Sequence, residues 1–367
     1  MTRNELNQLM LEISPLDKTA SDAAQQYLDS LSKPPGSLGG LERIACQLAG
    51  ITGQVANTLD KRRVVVLAAD NGVVAEGVSS APQSVTAMQV ASTLNGVTGV
   101  AVLAQCFGSE VSVIDLGIAQ ELWHPKLLNR AIRRGTGNIA VEPAMTTQQA
   151  LEAVAVGIAA ARTAKEDGCK VLGVGEIGIG NTTTSGAVLA ALLGLRGSAI
   201  DTVCGRGAGL DEAGFAKKLA TVHRALETNH PDATDPVEVL AKVGGLDLAA
   251  MTGVFLGAAR YRLPVVIDGF ISVVAALAAQ RLCPAAAGYF FASHRSGERG
   301  YTLAADALGL TPCLELGMRL GEGSGCPLMF SVMDGACAIM NHMATFAQVG
   351  IAAEYMDKVK APEAFGK

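Results

Sequence analysis

The chain has 367 residues, of which 49% are hydrophobic and only 17% charged, so it is long and apolar enough to bury a large core. Its formal net charge of -5, with Lys and Arg spread along the chain, excludes a basic stripe for nucleic acid and a polybasic membrane patch. The 4% of aromatic residues also argue against base-stacking platforms. The composition therefore indicates a globular protein with small-molecule partners, and neither nucleic acid nor membrane among them.

Two further features concern the cellular compartment and metals. The chain starts without a basic segment followed by an apolar one, which argues against a secretory signal. The longest apolar stretch, around residues 270–279, is shorter than the roughly 20 residues needed to span a bilayer. The eight cysteines form no C-x-x-C pair and are not interleaved with the five histidines at metal-ligand spacing. We therefore expect a cytoplasmic protein with buried free thiols and no metal site.

The predicted elements, in chain order, begin with a mostly helical segment over residues 1–60. Several short β-rich runs follow, with Ala-rich helical stretches after them, and after about residue 327 the chain is helical again. This alternation is the pattern of repeated βα units in a parallel sheet. We predict an α/β fold: a Rossmann-like three-layer body with a mainly parallel sheet over residues 61–327, plus a small helical domain from the chain ends, residues 1–60 with 328–367. The predicted strands are residues 63–70, 111–115, 170–174, 200–204, 263–267 and 287–292.

Polar residues cluster at the carboxyl ends of these predicted strands, for example Asp70 and Asp268. Ligands bind at that edge in open α/β sheets. Either aspartate is equally suited to capping the turn that follows it.

Residues 173–184, GVGEIGIGNTTT, place glycines just before a predicted helix start. They formally match the G-x-G-x-x-G motif of dinucleotide enzymes, which requires an acidic residue about 20 positions later, at the end of the next strand. Asp201 is the candidate for that residue, but it lies slightly late and at the start of a predicted strand. A single phosphate, held by free backbone N–H groups and by Asn181, Thr182 and Thr183, suits the segment better. Helix capping by Asn181 or Thr182 explains the same residues, and the pattern alone does not decide between the two.

Residues 320–325, LGEGSG, place one carboxylate, Glu322, among glycines that include Gly321 and Gly323. Such a flexible segment brings an acid close to a ligand, and a solvated loop glutamate would not need the glycine frame. We predict that Glu322 is a catalytic base.

Two further candidates for the site, Lys218 and the segment 293–298, are explained equally well by a purely structural role. Lys218 could supply a point charge to the phosphate, although a lysine on an amphipathic helix is usually solvated. Residues 293–298, SHRSGE, gather hydroxyls, charges and His294 after a predicted strand, but a loop histidine is more often a hydrogen-bonding group than a catalyst.

At these residues the chain resembles the nicotinate-nucleotide:dimethylbenzimidazole phosphoribosyltransferase family. Matches run in order from about residue 30 to residue 340, so the resemblance covers nearly the whole chain. The matching segments are residues 33–39 (KPPGSLG), 173–183 (GVGEIGIGNTT), 240–247 (LAKVGGLD), 266–270 (VIDGF) and 319–325 (RLGEGSG).

The resemblance implies a reaction in which a ring nitrogen of 5,6-dimethylbenzimidazole attacks C1′ of nicotinate mononucleotide. Nicotinate is released and α-ribazole 5′-phosphate is formed for cobalamin nucleotide-loop assembly. The leaving nicotinate is neutral at its ring nitrogen, so the resemblance implies neither metal nor cofactor. It also implies a homodimer.

By the same resemblance, Glu322 is the catalytic base and Glu176 a supporting carboxylate, while Gln89 lies beside the benzimidazole. The residues implied to surround the mononucleotide are Gly178, Asn181, Thr182, Lys218 and Ser296, and Lys218 is the least secure because extra residues precede Cys204.

The chain departs from the family pattern at two places. Asn71 stands where many members have histidine, so no histidine role carries over. Ala81 precedes Pro82 where some members place a serine near the base, with Ser79 and Ser80 just upstream, which leaves base selectivity open. The competing hypotheses are a nicotinamide-dinucleotide-dependent oxidoreductase and a non-catalytic mononucleotide-binding protein.

Overall fold

A computed structural model of the chain describes residues 1–351, and one parallel sheet lies at its centre. β1 and β4 are the two central strands, and all neighbouring strands pair in parallel, in the order β3-β2-β1-β4-β5-β6. This is the strand order of a doubly wound Rossmann sheet, so the predicted α/β class is confirmed. The strands are β1 (Arg62–Ala69), β2 (Glu110–Gly117), β3 (Leu127–Asn129), β4 (Val171–Ile177), β5 (Val265–Ile267) and β6 (Phe290–Ala292).

One of the predicted strands is a helix, and one strand of the sheet was not predicted. Residues 200–204 were predicted as a strand, but Gly197–Val203 is a 3₁₀ helix. Its buried residues, Ile200 and Val203, are three positions apart and therefore share one face of a helix with three residues per turn. The pattern missed β3, which is only three residues long, partly exposed and without a β-branched residue.

The helices between the strands form the layers around the sheet. The closest helix pairing is that of α6 with α10, where glycines let the backbones touch: a Cβ on Gly157 would lie 1.9 Å from the Ala250 carbonyl oxygen, and one on Gly253 2.1 Å from that of Val154. The helices are α1 (Arg3–Leu11), α2 (Lys18–Ser30), α3 (Gly40–Thr52), α4 (Val85–Leu94), α5 (Gly99–Cys106), α6 (Thr147–Glu166), α7 (Asn181–Leu192), α8 (Glu212–Asn229), α9 (Pro236–Val243), α10 (Leu246–Arg260), α11 (Phe270–Leu282), α12 (Gly300–Leu308) and α13 (Gly325–His342).

The amino-terminal segment and the segment after α13 meet. Leu31 and Thr345 form an antiparallel bridge, and the backbone N–H of Phe346 donates to the Ser30 carbonyl at 2.9 Å. Helix α13 packs on α3 and also on β1, β4 and β5. The division into residues 1–60 with 328–367 and residues 61–327 stays a prediction, and its last part, residues 352–367, lies outside the described residues.

All eight cysteines are free, as expected, but the expectation that they are buried is wrong for Cys106 and Cys313, which are exposed. By length and composition alone, the stretch Val85–Cys106 is apolar enough to cross a membrane. In the structure it is two helices, α4 and α5, interrupted between residues 94 and 99 and packed against β2.

Candidate active site

A cavity of about 550 Å³ lies at the carboxyl ends of the central strands. It is bounded by segments that follow β1, β4 and β5 and by the loop before α13. The chain leaves β1 and β4 toward opposite sides of the sheet, and the crevice opened by that reversal is where α/β sheets bind ligands. The sheet topology therefore places this cavity where a binding site is expected.

Glu322 lies in a strained loop at the floor of this cavity. Its φ is +66°, in the left-handed region that a glutamate rarely adopts, and Gly321 and Gly323 on either side have φ values of +86° and +91°. The side chain is buried, at 6% exposure. Its Oε1 accepts a hydrogen bond from Nε2 of Gln89, and its buried Oε2 has no protein partner. The loop thus presents one free carboxylate oxygen in a site that is largely shielded from water.

The strand beneath this loop is shaped to receive it. A Cβ on Gly175 would lie 2.3 Å from the Glu322 carbonyl oxygen, and one on Gly173 would lie 2.5 Å from Cβ of Cys326 in α13. Both glycines are inside β4, so they serve close packing of the loop and α13 on the sheet. They do not form the phosphate turn that a dinucleotide fingerprint requires, and that interpretation of residues 173–178 is wrong.

Glu176, near the end of β4, is the second carboxylate of the cavity. Its Oε2 accepts a hydrogen bond from Nδ2 of Asn181. Burial, then the charges of Asp247 and Asp268, raise the pKa of Glu176 well above its usual value. Two neighbouring carboxyl groups with different environments are the usual arrangement when one holds its proton and the other can accept one.

The start of α7 faces the same cavity. Gly180, with φ +94°, precedes Asn181 as the cap residue, and no side chain caps the helix. The positive end of a helix dipole attracts anions, and here no side chain occupies that end, although the N–H groups of Asn181 and Thr183 donate to the carbonyls of Gly178 and Gly180. Thr182 lines the cavity beside them, and its Oγ1 accepts from Nζ of Lys218 at 2.8 Å.

Lys218 is fully buried, which excludes the solvated position that the sequence left open, while its contact with a phosphate stays a prediction. Burial lowers the pKa of its ammonium group, because an ion is poorly solvated there. A buried cation normally needs an anionic partner.

Most of the predicted site residues are brought together, and a few are not. Thr183 is buried within α7 and its hydroxyl has no protein partner, while Lys218 lies behind Thr182 and Gly323, in the loop, faces the strands. The predicted residues that line the cavity are Gln89, Glu176, Gly178, Asn181, Thr182, Ser296, Gly321 and Glu322.

Several cavity residues were missed as candidates in the sequence. Arg206 and Arg319 both line the cavity, and the guanidinium group of Arg206 bonds to the Leu210 carbonyl and to Glu212. Glu298, in the segment 293–298, also lines it and has a buried Oε2 without a protein partner. Arg206 stands in a glycine-rich run, GRGAG, which is the only signal the sequence offers for it. His294 is buried next to the site, and burial lowers its pKa, which favours the neutral imidazole.

Within residues 1–351, His, Cys, Asp and Glu side chains form no group of three or more that could hold a metal ion.

A second cavity, of about 770 Å³, is larger but lies at the amino ends of the strands. The cations that line it, such as Lys165 and Arg262, lie at or beside the carboxyl ends of helices. Arg262 donates to the carbonyls of Ile51 at 2.8 Å and Gly50 at 2.9 Å at the end of α3. Such cations balance the negative ends of helix dipoles. Size alone therefore does not make this cavity the better candidate.

Fold and cavity together define the class: an α/β enzyme whose site lies at the switch point of a Rossmann-order sheet. Comparison with known proteins identifies the family within this class. A phosphoribosyltransferase family model matches residues 13–351. The chain belongs to this phosphoribosyltransferase family.

Relatives with close sequence similarity carry one name. A nicotinate-nucleotide–dimethylbenzimidazole phosphoribosyltransferase of Clostridium perfringens is 51% identical over 360 residues, which cover 98% of this chain and 99% of the relative. One of the same name from a Roseiflexus species is 48% identical, over 94% of this chain and 98% of the relative. The crystal structure of the enzyme so named from Thermus thermophilus is similar with a TM-score of 0.86 and 42% identity, over 92% of this chain and 99% of that one. Neither an oxidoreductase nor a non-catalytic binding protein finds support among these proteins.

Proposed function

We propose that the protein transfers the 5-phosphoribosyl group of nicotinate mononucleotide to 5,6-dimethylbenzimidazole, releasing nicotinate and forming α-ribazole 5′-phosphate for the cobalamin nucleotide loop. The observation that carries the proposal is the free Oε2 of Glu322, buried in the same cavity as the uncapped start of α7. The names of the relatives support the choice of substrates.

The phosphate of the mononucleotide binds at the start of α7. The positive end of the helix dipole favours an anion there, and Thr182 adds a hydroxyl. Lys218 supplies the charge, since its Nζ lies 2.8 Å from Thr182 Oγ1 and it is otherwise buried. Ser296 also lines the cavity and offers a second hydroxyl.

The transfer step needs one base and no redox change. A lone pair on one benzimidazole nitrogen attacks C1′ of the ribose, and the C1′–N bond to nicotinate breaks with its electron pair moving to the nicotinate nitrogen. The proton on the other benzimidazole nitrogen passes to Oε2 of Glu322. Gln89 holds Oε1 and thereby aims Oε2, so base and nucleophile are oriented together.

Glu176 acts as the supporting carboxyl group. Its raised pKa keeps its proton in place, so a second full negative charge next to Glu322 is avoided. Asn181 fixes its orientation and links it to the start of α7. The two carboxyl groups therefore have different roles, proton acceptor and neutral support.

The base-binding end of the cavity is formed by Gln89 with Val78, Ser79 and Ser80. The two serine hydroxyls offer hydrogen bonds that a purine could use as well as a benzimidazole. We propose 5,6-dimethylbenzimidazole as the base, and a panel that includes unsubstituted benzimidazole and adenine would test that preference through kcat/KM.

We further propose that the enzyme works in the cytoplasm as a homodimer. The resemblance to the family supports the dimer, and exposed apolar side chains near the cavity, Met88 at 56% and Leu320 at 60%, support an interface there. Sedimentation equilibrium of the purified protein would test it, and a monomer at micromolar concentration would contradict it.

The deciding experiment mixes purified protein with nicotinate mononucleotide and 5,6-dimethylbenzimidazole and separates the products by chromatography. Nicotinate that appears only with both substrates, together with one new ribazole product, is the expected result. Release without the base would indicate a hydrolase, and no release would contradict the proposed transfer.

A further inference from the structure

The conformation of the Glu322 loop needs an explanation, because three consecutive residues, Gly321 to Gly323, are left-handed. For glutamate this backbone costs on the order of 1 kcal/mol or more, so surrounding contacts must hold it. The glycine gap at Gly175 leaves room for the loop but does not pull it into place. Something else must fix the backbone on both sides of Glu322.

Asp268 makes those contacts. The backbone N–H of Gly323 donates to its Oδ2 at 2.9 Å, and that of Gly325 donates to its Oδ1 at 2.6 Å. Both hydrogen bonds are buried, and Asp268 itself is 2% exposed. Burial raises the pKa of Asp268 to about 7, whereas the bonds from Gly325 and Gly323 act in the opposite direction by stabilising the carboxylate. The carboxylate thus bridges the residue after Glu322 and the first residue of α13.

Asp268 is itself held rigidly. It follows β5 directly, its N–H donates to Oγ of Ser272 at 3.2 Å, and its carbonyl accepts from Oγ of Ser293 at 3.0 Å. The carboxylate also lies at the amino end of α13, where the helix dipole favours a negative charge. Sheet, loop and helix therefore meet at one side chain.

We propose that Asp268 is the positioning residue that holds the Glu322 loop in its left-handed conformation and so aims the base at the cavity. This rests on the proposed role of Glu322. Asp268 does not take the proton; it acts through Gly323 and Gly325. The consequence is that catalysis depends on a carboxylate whose own oxygens are fully used by backbone N–H groups.

Asp268→Asn tests this with little change of shape. An amide can accept only one of the two N–H bonds, because its NH₂ group faces the other donor. A misplacement of about 1 Å in an active site costs on the order of 10²-fold in rate, so kcat should fall by about that factor while KM for the mononucleotide stays nearly unchanged. Hydrogen exchange of peptides covering residues 321–326 should become about tenfold faster, as expected for one lost hydrogen bond.

Asp115→Asn is the matched control. Asp115 is also a buried aspartate in a strand, and its Oδ1 accepts from the N–H groups of Gly117 at 2.9 Å and Ile118 at 2.8 Å. It does not contact the Glu322 loop. Asparagine keeps both of these bonds through its amide oxygen, so the substitution removes only the ion pair of Oδ2 with Arg134 at 3.2 Å. It should lower stability yet leave kcat and exchange at residues 321–326 as in the parent enzyme, which a merely structural role of Asp268 would not predict.

The outcomes separate this proposal from the proposed catalytic role. Unchanged exchange at residues 321–326 in Asp268→Asn would overturn the positioning role. If Asp268→Asn shows faster exchange but full turnover while Glu322→Gln is inactive, the positioning role is also overturned. If Glu322→Gln is active as well, the assignment of Glu322 as the base fails instead. Should the Asn variant not fold, exchange in the parent enzyme decides, since rapid exchange of these amides would show that Asp268 does not hold them.

Discussion

Replacing Glu322 by glutamine removes the base while keeping its shape. The amide oxygen can still accept the hydrogen bond from Nε2 of Gln89, which then places the NH₂ group where Oε2 now lies without a partner. That NH₂ group cannot accept a proton from the benzimidazole. The variant therefore isolates proton transfer from packing and loop position.

The expected loss of turnover is about 10²-fold to 10⁴-fold, the range for a lost general base. At about 1.36 kcal/mol for each factor of ten, this is roughly 3 to 5 kcal/mol of transition-state stabilisation. Mononucleotide binding should change little, because the start of α7, Thr182 and Lys218 are untouched. A loss in kcat with an unchanged dissociation constant is the signature of an interaction made only in the transition state.

The assay is nicotinate release at saturating base and mononucleotide, together with calorimetric titration of the mononucleotide. Glu315→Gln is the matched control, since Glu315 is exposed, lies shortly before the same loop and pairs with Arg295 at 2.7 Å. It should keep full activity. Turnover of Glu322→Gln equal to that of the control would refute the reasoning, and loss of mononucleotide affinity would show that Glu322 serves binding instead.

Three further predictions concern buried residues around the cavity. Lys218→Met should raise KM for the mononucleotide by about 10-fold to 150-fold, which is the loss expected for one charge-assisted hydrogen bond. The control is Lys217→Met, on the exposed side of α8, which should leave KM unchanged in steady-state kinetics. Gly175→Ala should lower turnover, and it should lower the free energy of unfolding in urea by about 1 to 3 kcal/mol, because the added Cβ would lie 2.3 Å from the Glu322 carbonyl oxygen. Unchanged values would contradict the close packing of Gly175 on the Glu322 loop. Burial raises the pKa of Asp247 to about 6, so this residue stabilises the fold at low pH and loses that contribution as pH rises. Relative to Asp247→Asn, the parent enzyme should lose about 1 kcal/mol of its free energy of unfolding between pH 5 and pH 7. The same pH dependence for both proteins in urea unfolding would refute this.

The sequence was most informative where a strand is buried on both faces. In β1, six consecutive residues from Val64 are buried, and such a continuous apolar run is typical of a central parallel strand. Short elements with mixed exposure gave no such signal. β3 at the edge was missed, and the 3₁₀ helix Gly197–Val203 was taken for a strand because its two buried residues are β-branched.

The candidate site was predictable only where local chain geometry carried the signal. Glycines around Glu322 and before Asn181 pointed to a strained loop and a helix start, and both are present. The partners that complete these features come from distant segments: Gln89 for Glu322 and Lys218 for Thr182. No local pattern encodes such contacts: only the family resemblance suggested Gln89, and for Lys218 the pattern allowed a solvated position equally well.

The glycines of β4 explain how the same residues suggested two different functions. In a dinucleotide enzyme, glycines of this spacing follow the strand and bring the backbone to a pyrophosphate. Here Gly173 and Gly175 lie within the strand, on the same face two residues apart, and make room for Cys326 and the Glu322 loop. The cavity lining begins only after them, at Glu176 near the end of the strand, and continues to Thr182 in α7. The glycines of the sheet thus let the Glu322 loop, which precedes α13, pack directly on the strand that leads to α7, and this packing brings the proposed base and the proposed phosphate site into one cavity.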